Sequence, residues 1–88
     1  MTFTAQVVVM PRPVVNDPQG VTVRRGLGAL GFEEVADVRV GKYIEITLNE
    51  DSEERARQRV TEMCRKLLAN HVIEDFRFDL LRVGQPVP

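Results

Sequence analysis

The residues that could do chemistry are few and scattered. The chain has one cysteine (Cys64), one histidine (His71), one serine (Ser52) and one tyrosine (Tyr43). A self-contained active site brings together a nucleophile, a base and an orienting group, and this inventory supplies that set only with difficulty. A single cysteine cannot close an intramolecular disulfide, and one Cys with one His falls short of the four N or S ligands of a structural zinc site. Cys64 lies on an apolar helical stripe and reads as a small buried hydrophobe, with no base at hand to activate it. His71 follows a helix end, where an imidazole is a dipole partner or a plain surface residue.

Gly26-x-Gly28-x-x-Gly31 spells a dinucleotide fingerprint, but these glycines close a helix instead of opening one after a strand. Arg39 and Lys42 flank Gly41 at a turn and could bind an anion or salt-bridge to a partner. Acyl-phosphate hydrolysis on a small α+β fold needs a phosphate-cradling loop after the first strand. Here that stretch is Pro11-Arg12-Pro13-Val14-Val15, whose prolines remove two amides from any cradle.

The elements that hold these residues are legible. Phe3, Ala5, Val7 and Val9 share one face of a strand over 3–10, ended by Pro11 and Pro13. Asp17 caps a helix with Pro18 at its first position. Val23, Leu27 and Leu30 follow at i, i+4, i+7, and Gly31 stops the helix with Phe32 folding back. Gly26 and Gly28 weaken this helix by roughly 1 kcal/mol each relative to Ala, so packing must hold it.

Over 35–48, Val38, Val40, Ile44, Ile46 and Leu48 are even-numbered, and Asp37, Arg39, Tyr43, Glu45 and Thr47 are odd. A three-residue turn over Gly41-Lys42-Tyr43, pairing 40 with 44 and 38 with 46, keeps that phase. One long, bent strand keeps it too; the length such a strand would need favours the hairpin. Asp51 to Ala69 forms the clearest helix, with Asp51 and Glu54 as a capping-box-like pair. Ala56, Val60, Met63, Cys64, Leu67 and Leu68 make its apolar stripe. The ion pairs Glu53–Arg57 and Glu62–Lys66 support it, and Asn70 suits its C-terminal end. Phe76, Phe78 and Leu80 alternate with Asp75, Arg77 and Asp79 in a last strand.

The order β-α-β-β-α-β predicts an α+β, two-layer, ferredoxin-like sandwich with two helices on one face of a mostly antiparallel sheet. One domain is expected over 1–83 with a flexible tail over 84–88. The other sheet face, with Val8 and Leu81 among charges, is open to a partner.

Composition agrees with a module. The 88 residues are 43% hydrophobic and 28% charged, which makes one small domain with a marginal core. A net charge of -1 shows no basic excess for nucleic acid. Residues 1–10 lack the positive n-region of a signal peptide, and no run reaches a membrane span. The expectation is a reduced, soluble, cytoplasmic chain that contacts neither nucleic acid nor membrane.

Four strings resemble the PurS family, the small subunit of phosphoribosylformylglycinamidine synthase. They are Asp17-Pro18-Gln19-Gly20, Leu30-Gly31-Phe32, Val38-Arg39-Val40-Gly41-Lys42-Tyr43-Ile44-Glu45, and the run from Met63-Cys64 through Lys66-Leu67-Leu68-Ala69-Asn70 to Val72-Ile73-Glu74-Asp75-Phe76. The likeness runs in order from the first strand to the last. It departs from the family at Pro11-Arg12-Pro13, at His71 and in the Gly84–Pro88 tail.

The resemblance implies a subunit with no catalytic, cofactor-binding or metal-binding residue of its own. Such a chain would dimerise, or form a dimer of dimers, and bridge the PurL synthetase and the PurQ glutaminase. PurQ would release ammonia from glutamine. PurL, using ATP and magnesium, would activate formylglycinamide ribonucleotide for amidation in purine synthesis. The partner-contact residues expected are Asp17, Gln19, Gly20, Arg39, Gly41 and Lys42. Fold analogy alone offers a different class, a ligand-sensing regulatory domain. A tiny hydrolase is a third, weakened by the missing catalytic set.

Overall fold

Alternating apolar residues make β1 (Thr2–Pro11) the central strand. Its odd-numbered side chains, Phe3, Ala5, Val7 and Val9, are all buried. The computed structural model describes residues 1–13 and 16–84. Val14, Val15 and most of the expected tail, residues 85–88, lie outside the described residues.

Two strands flank β1, both antiparallel to it, in the order β2-β1-β3. In β2 (Lys42–Asn49), Ile44, Ile46 and Leu48 stand opposite Val7, Ala5 and Phe3. In β3 (Glu74–Val83), Phe76, Phe78 and Leu80 stand opposite Val9, Val7 and Ala5. The inner face is thus apolar in register across all three strands, as the period-two pattern requires.

The helix α2 (Glu53–Met63) covers that face. Ala56, Val60 and Cys64 are fully buried against Ala5, Val7 and Val9. The N-cap is Ser52, whose Oγ accepts from the Arg55 amide at 3.1 Å; the expected Asp51 cap stands one residue too early. Both expected ion pairs form, Arg57–Glu53 at 3.2 Å and Lys66–Glu62 at 3.8 Å.

A π-turn (Cys64–Leu68) continues α2, closed by the Ala69 amide donating to the Cys64 carbonyl at 3.0 Å. That i→i+5 bond inserts one residue into the last turn. Leu67, expected on the buried stripe, is consequently turned outward at 82% exposure, and Ala69 takes the inward place at 7%. Asn70 lies just past the helix end. Its carbonyl accepts from the Ile73 and Glu74 amides and its side chain from the Val72 amide, forming the turn into β3.

The architecture is α+β and ferredoxin-like, with an antiparallel sheet and two helices. The expected hairpin over 35–48 does not form. Residues 35–40 belong to no strand, Val40 and Val38 do not pair with Ile44 and Ile46, and the sheet has three strands among the described residues. The phase of the apolar residues is kept, but the chain passes straight into β2 through Gly41.

The second departure is the placement of α1 (Pro18–Ala29). Its ends are built as the residues dictate. Asp17 caps it, and a Schellman closure follows, with Gly31 at φ 97° and the Phe32 amide donating to the Leu27 carbonyl at 3.0 Å. Yet only Gly20 of this helix is buried, and the core cluster contains no α1 side chain. Helix and residues 32–40 form an arm beside the sheet. The Cα radius of gyration is 17.0 Å, against about 12 Å for a compact chain of this length.

Candidate functional site

The root of the arm is held by a shared carboxylate and a close backbone approach. The Asp17 carboxylate does two jobs. Oδ1 accepts from the Gly20 amide at 3.0 Å, the ordinary helix cap. Oδ2 accepts from the Val40 amide at 2.8 Å and so ties the start of α1 to the segment entering β2. Gly20 is where helix and segment touch. A Cβ there would fall on the Val38 carbonyl oxygen and lie 2.7 Å from Asp17 Oδ2. Gly41 makes the next close approach, where a Cβ would meet the Val9 carbonyl and the Met10 sulfur.

The Gly20 amide, then the Val40 amide, hold the Asp17 carboxyl below the ordinary aspartate range, with Arg39 adding a smaller pull. A depressed carboxyl stabilises the folded form above its unfolded-state pKa, and that contribution is lost as pH falls through the lower folded-state value. The latch is therefore expected to be independent of pH from neutral down to about pH 5 and to loosen below about pH 4. Asp17→Asn, which cannot present two anionic acceptors, is expected to loosen it at neutral pH. Hydrogen exchange at the Val40 amide checks both; an exchange rate unchanged by the substitution sinks the latch.

The six residues expected at a partner surface all fall at this root. Asp17, Gly20 and Gly41 are occupied in building it. Gln19 is exposed and lines a shallow apolar groove with Pro18, Thr22, Val23 and Val40. Arg39 is exposed, and Lys42 reaches Glu74 across β1 at 3.8 Å. Sequence reasoning found the cap but not the bond from Asp17 to Val40, which spans 23 residues.

The remaining chemical candidates are dispersed. Cys64 is buried, and burial raises its thiol pKa, which keeps it protonated. His71 is exposed in the turn before β3, at the rim of a cavity that also holds the Arg12–Asp75 pair at 3.3 Å. The Gly26–Gly31 stretch ends α1 as a cap. Among the described residues no three His, Cys, Asp or Glu side chains are grouped to hold a metal ion, and no helix is long and apolar enough to cross a membrane.

The model of the PurS family, phosphoribosylformylglycinamidine (FGAM) synthase, matches residues 4–82. The chain belongs to the PurS family. PurS of Bacillus subtilis is 44% identical over 81 residues, which cover 92% of this chain and 95% of that protein. PurS of Synechocystis is 44% identical over 79 residues, covering 90% and 79%. A structure of Bacillus subtilis PurS superposes with a TM-score of 0.79 at 42% identity, over 91% of this chain and 99% of that one. A chain in the structure of PurLQS from Thermotoga maritima gives 0.84 at 31% identity, over 92% and 99%. As a PurS chain, it is a subunit of FGAM synthase, the ATP- and glutamine-dependent ligase of purine biosynthesis. The strings that suggested the family include the Asp17–Gly20 and Val38–Lys42 segments that meet at the arm's root.

Proposed function

We propose that this chain is a non-catalytic structural subunit that dimerises and bridges the PurL synthetase and the PurQ glutaminase. The observation that carries this is the arm. A 12-residue helix with three glycines is not stable on its own in water. Here Val23 on the helix and Leu30 at its C-cap are exposed at 44% and 76%. Among the described residues no strand pairs with the outer edge of β2, and residues 35–40 belong to no strand. A second copy can supply both the missing strand and a cover for α1. The Thermotoga maritima PurLQS structure, in which a similar chain occurs, supports assembly with PurL and PurQ. ATP and magnesium belong to the PurL partner in this reading, no cofactor binds here, and the complex works in the cytoplasm.

The test is reconstitution. Adding the chain to purified PurL and PurQ is expected to restore glutamine-dependent amidation of formylglycinamide ribonucleotide, and the chain alone is expected to show no turnover. Full activity of PurL with PurQ in its absence overturns the reading, as does stabilisation of the lone chain by an amino acid with no effect on synthesis.

Lys42→Glu is expected to weaken co-elution with both partners while the isolated fold persists. The substitution replaces one partly exposed ion pair, worth about 0–1 kcal/mol, with a like-charge repulsion of similar size against Glu74. Unchanged co-elution removes Lys42 from the contact surface.

A further inference from the structure

We propose that α1 is two-faced, and that its arginine face docks an acidic segment of a subunit other than a second copy of this chain. This rests on the bridging reading and names which surface faces outward. Between α1 and the returning chain lies a groove of about 500 Å³, lined by Val21, Arg24, Arg25, Phe32, Glu33 and Val35. Val21 and Phe32 are 39% and 49% exposed there, and Gly28 leaves the floor open, with no atom near where a Cβ would stand.

Arg24 and Arg25 make no ion pair or hydrogen bond among the described residues, although Glu33 lines the same groove. Arg12, Lys42, Arg55, Arg57, Arg59 and Lys66 are paired, whereas Arg39, Arg65 and Arg77 share the lack of an ion-pair partner among the described residues but line no common groove with Arg24 and Arg25. The helix has no acid from Pro18 to Ala29, so nothing at i±3 or i±4 can neutralise either guanidinium. The groove thus offers two free cations around an apolar slot. Its complement is a segment with carboxylates flanking an apolar side chain.

Helical geometry separates this face from the apolar one. At 3.6 residues per turn, the centre of Val21, Arg24, Arg25 and Gly28 lies about 150° from that of Gln19, Val23, Leu27 and Leu30. The second face, wholly uncharged, suits a copy of the chain. A two-fold contact centred on the first would bring Arg24 and Arg25 towards their own copies, like charge on like. One helix can therefore touch both kinds of neighbour at once.

The double variant R24E/R25E tests this, with Val23→Asp as the contrast. Light scattering reads self-association, and sedimentation with purified PurL and PurQ reads hetero-assembly at two salt concentrations. The expected result is an unchanged dimer mass with hetero-assembly weakened at least about tenfold, and wild-type hetero-assembly that weakens as salt rises. Val23→Asp is expected to lose the dimer instead. If R24E/R25E melts below wild type, R24Q/R25Q is read in its place. Loss of the dimer in the arginine variant overturns the proposal by assigning the groove to self-association. Unchanged hetero-assembly overturns it while leaving bridging intact. Failure of the wild-type chain to assemble removes the bridging reading itself, and this one with it.

Discussion

Gly20→Val is expected to weaken assembly with the other subunits while the sheet and α2 stay folded. The new Cβ would fall on the Val38 carbonyl oxygen, a backbone atom that cannot rotate away, and crowd the Asp17 carboxylate. Relief requires α1 to move off the segment entering β2, which breaks the bond from the Val40 amide to Asp17 as well. Overpacking of this kind costs about 1–3 kcal/mol. Valine recovers at most about 0.5 kcal/mol through its better helix propensity, so the clash wins. The arm is the contact surface in the proposed reading, and the same energy lowers assembly roughly 5- to 150-fold. Far-UV dichroism and the thermal midpoint should hold, because no α1 side chain belongs to the core cluster. Wild-type affinity for the partners in this variant would show that the arm's placement does not matter.

Val60→Asp is expected to leave no cooperatively folded chain at all. Val60 is fully buried among Ala5, Val7, Val9, Cys64 and Ala69, and the described residues bury no polar or charged residue that could meet the carboxylate. An unpaired buried charge costs more than about 4 kcal/mol. Domains of any size hold only about 5–15 kcal/mol in total, and this core is small. Val60→Ala, which only empties space, should lower the denaturant midpoint without removing the transition. A sigmoidal urea transition for Val60→Asp near the wild-type midpoint contradicts the role given to this residue.

The two glycine and valine substitutions probe different halves of what the residues disclosed in advance. Strand alternation in β1 and β3, the Asp17 cap, the Gly31 stop and the Ala56–Val60–Cys64 stripe are local signals, and each appears where its period or turn chemistry puts it. Ser52 and Asp51 are both good caps, one residue apart, and only the Arg55 amide distinguishes them. The outward turn of Leu67 depends on one extra residue in a turn, which a 3.6-residue period cannot report. Alternation over 35–48 records a two-sided ribbon but not its neighbour, so a vacant place in the sheet looks the same as a hairpin. The site was half legible for the same reason. Asp17 and Gly20 stand out as a cap, whereas Val40 joins them across 23 residues. Arg24 and Arg25 carried a readable signal, two cations on a helix without an acid, but it has meaning only once the helix is found beside the sheet.

The strand order carries a consequence for synthesis on the ribosome. β1 emerges first, yet both of its ladders are with later strands, and its most distant pair joins Thr2 to Val83. About 80 residues separate those partners, which is roughly 4–16 s of elongation at 5–20 residues per second. Until β2 is made, Val7-Val8-Val9 has neither edge satisfied, and until β3 follows it keeps one edge open; it is the kind of apolar segment that pairs with other nascent chains. The central strand is therefore made before either neighbour and secured on both edges only when β3 arrives, and the wait between the two is an interval in which its open edge can pair wrongly.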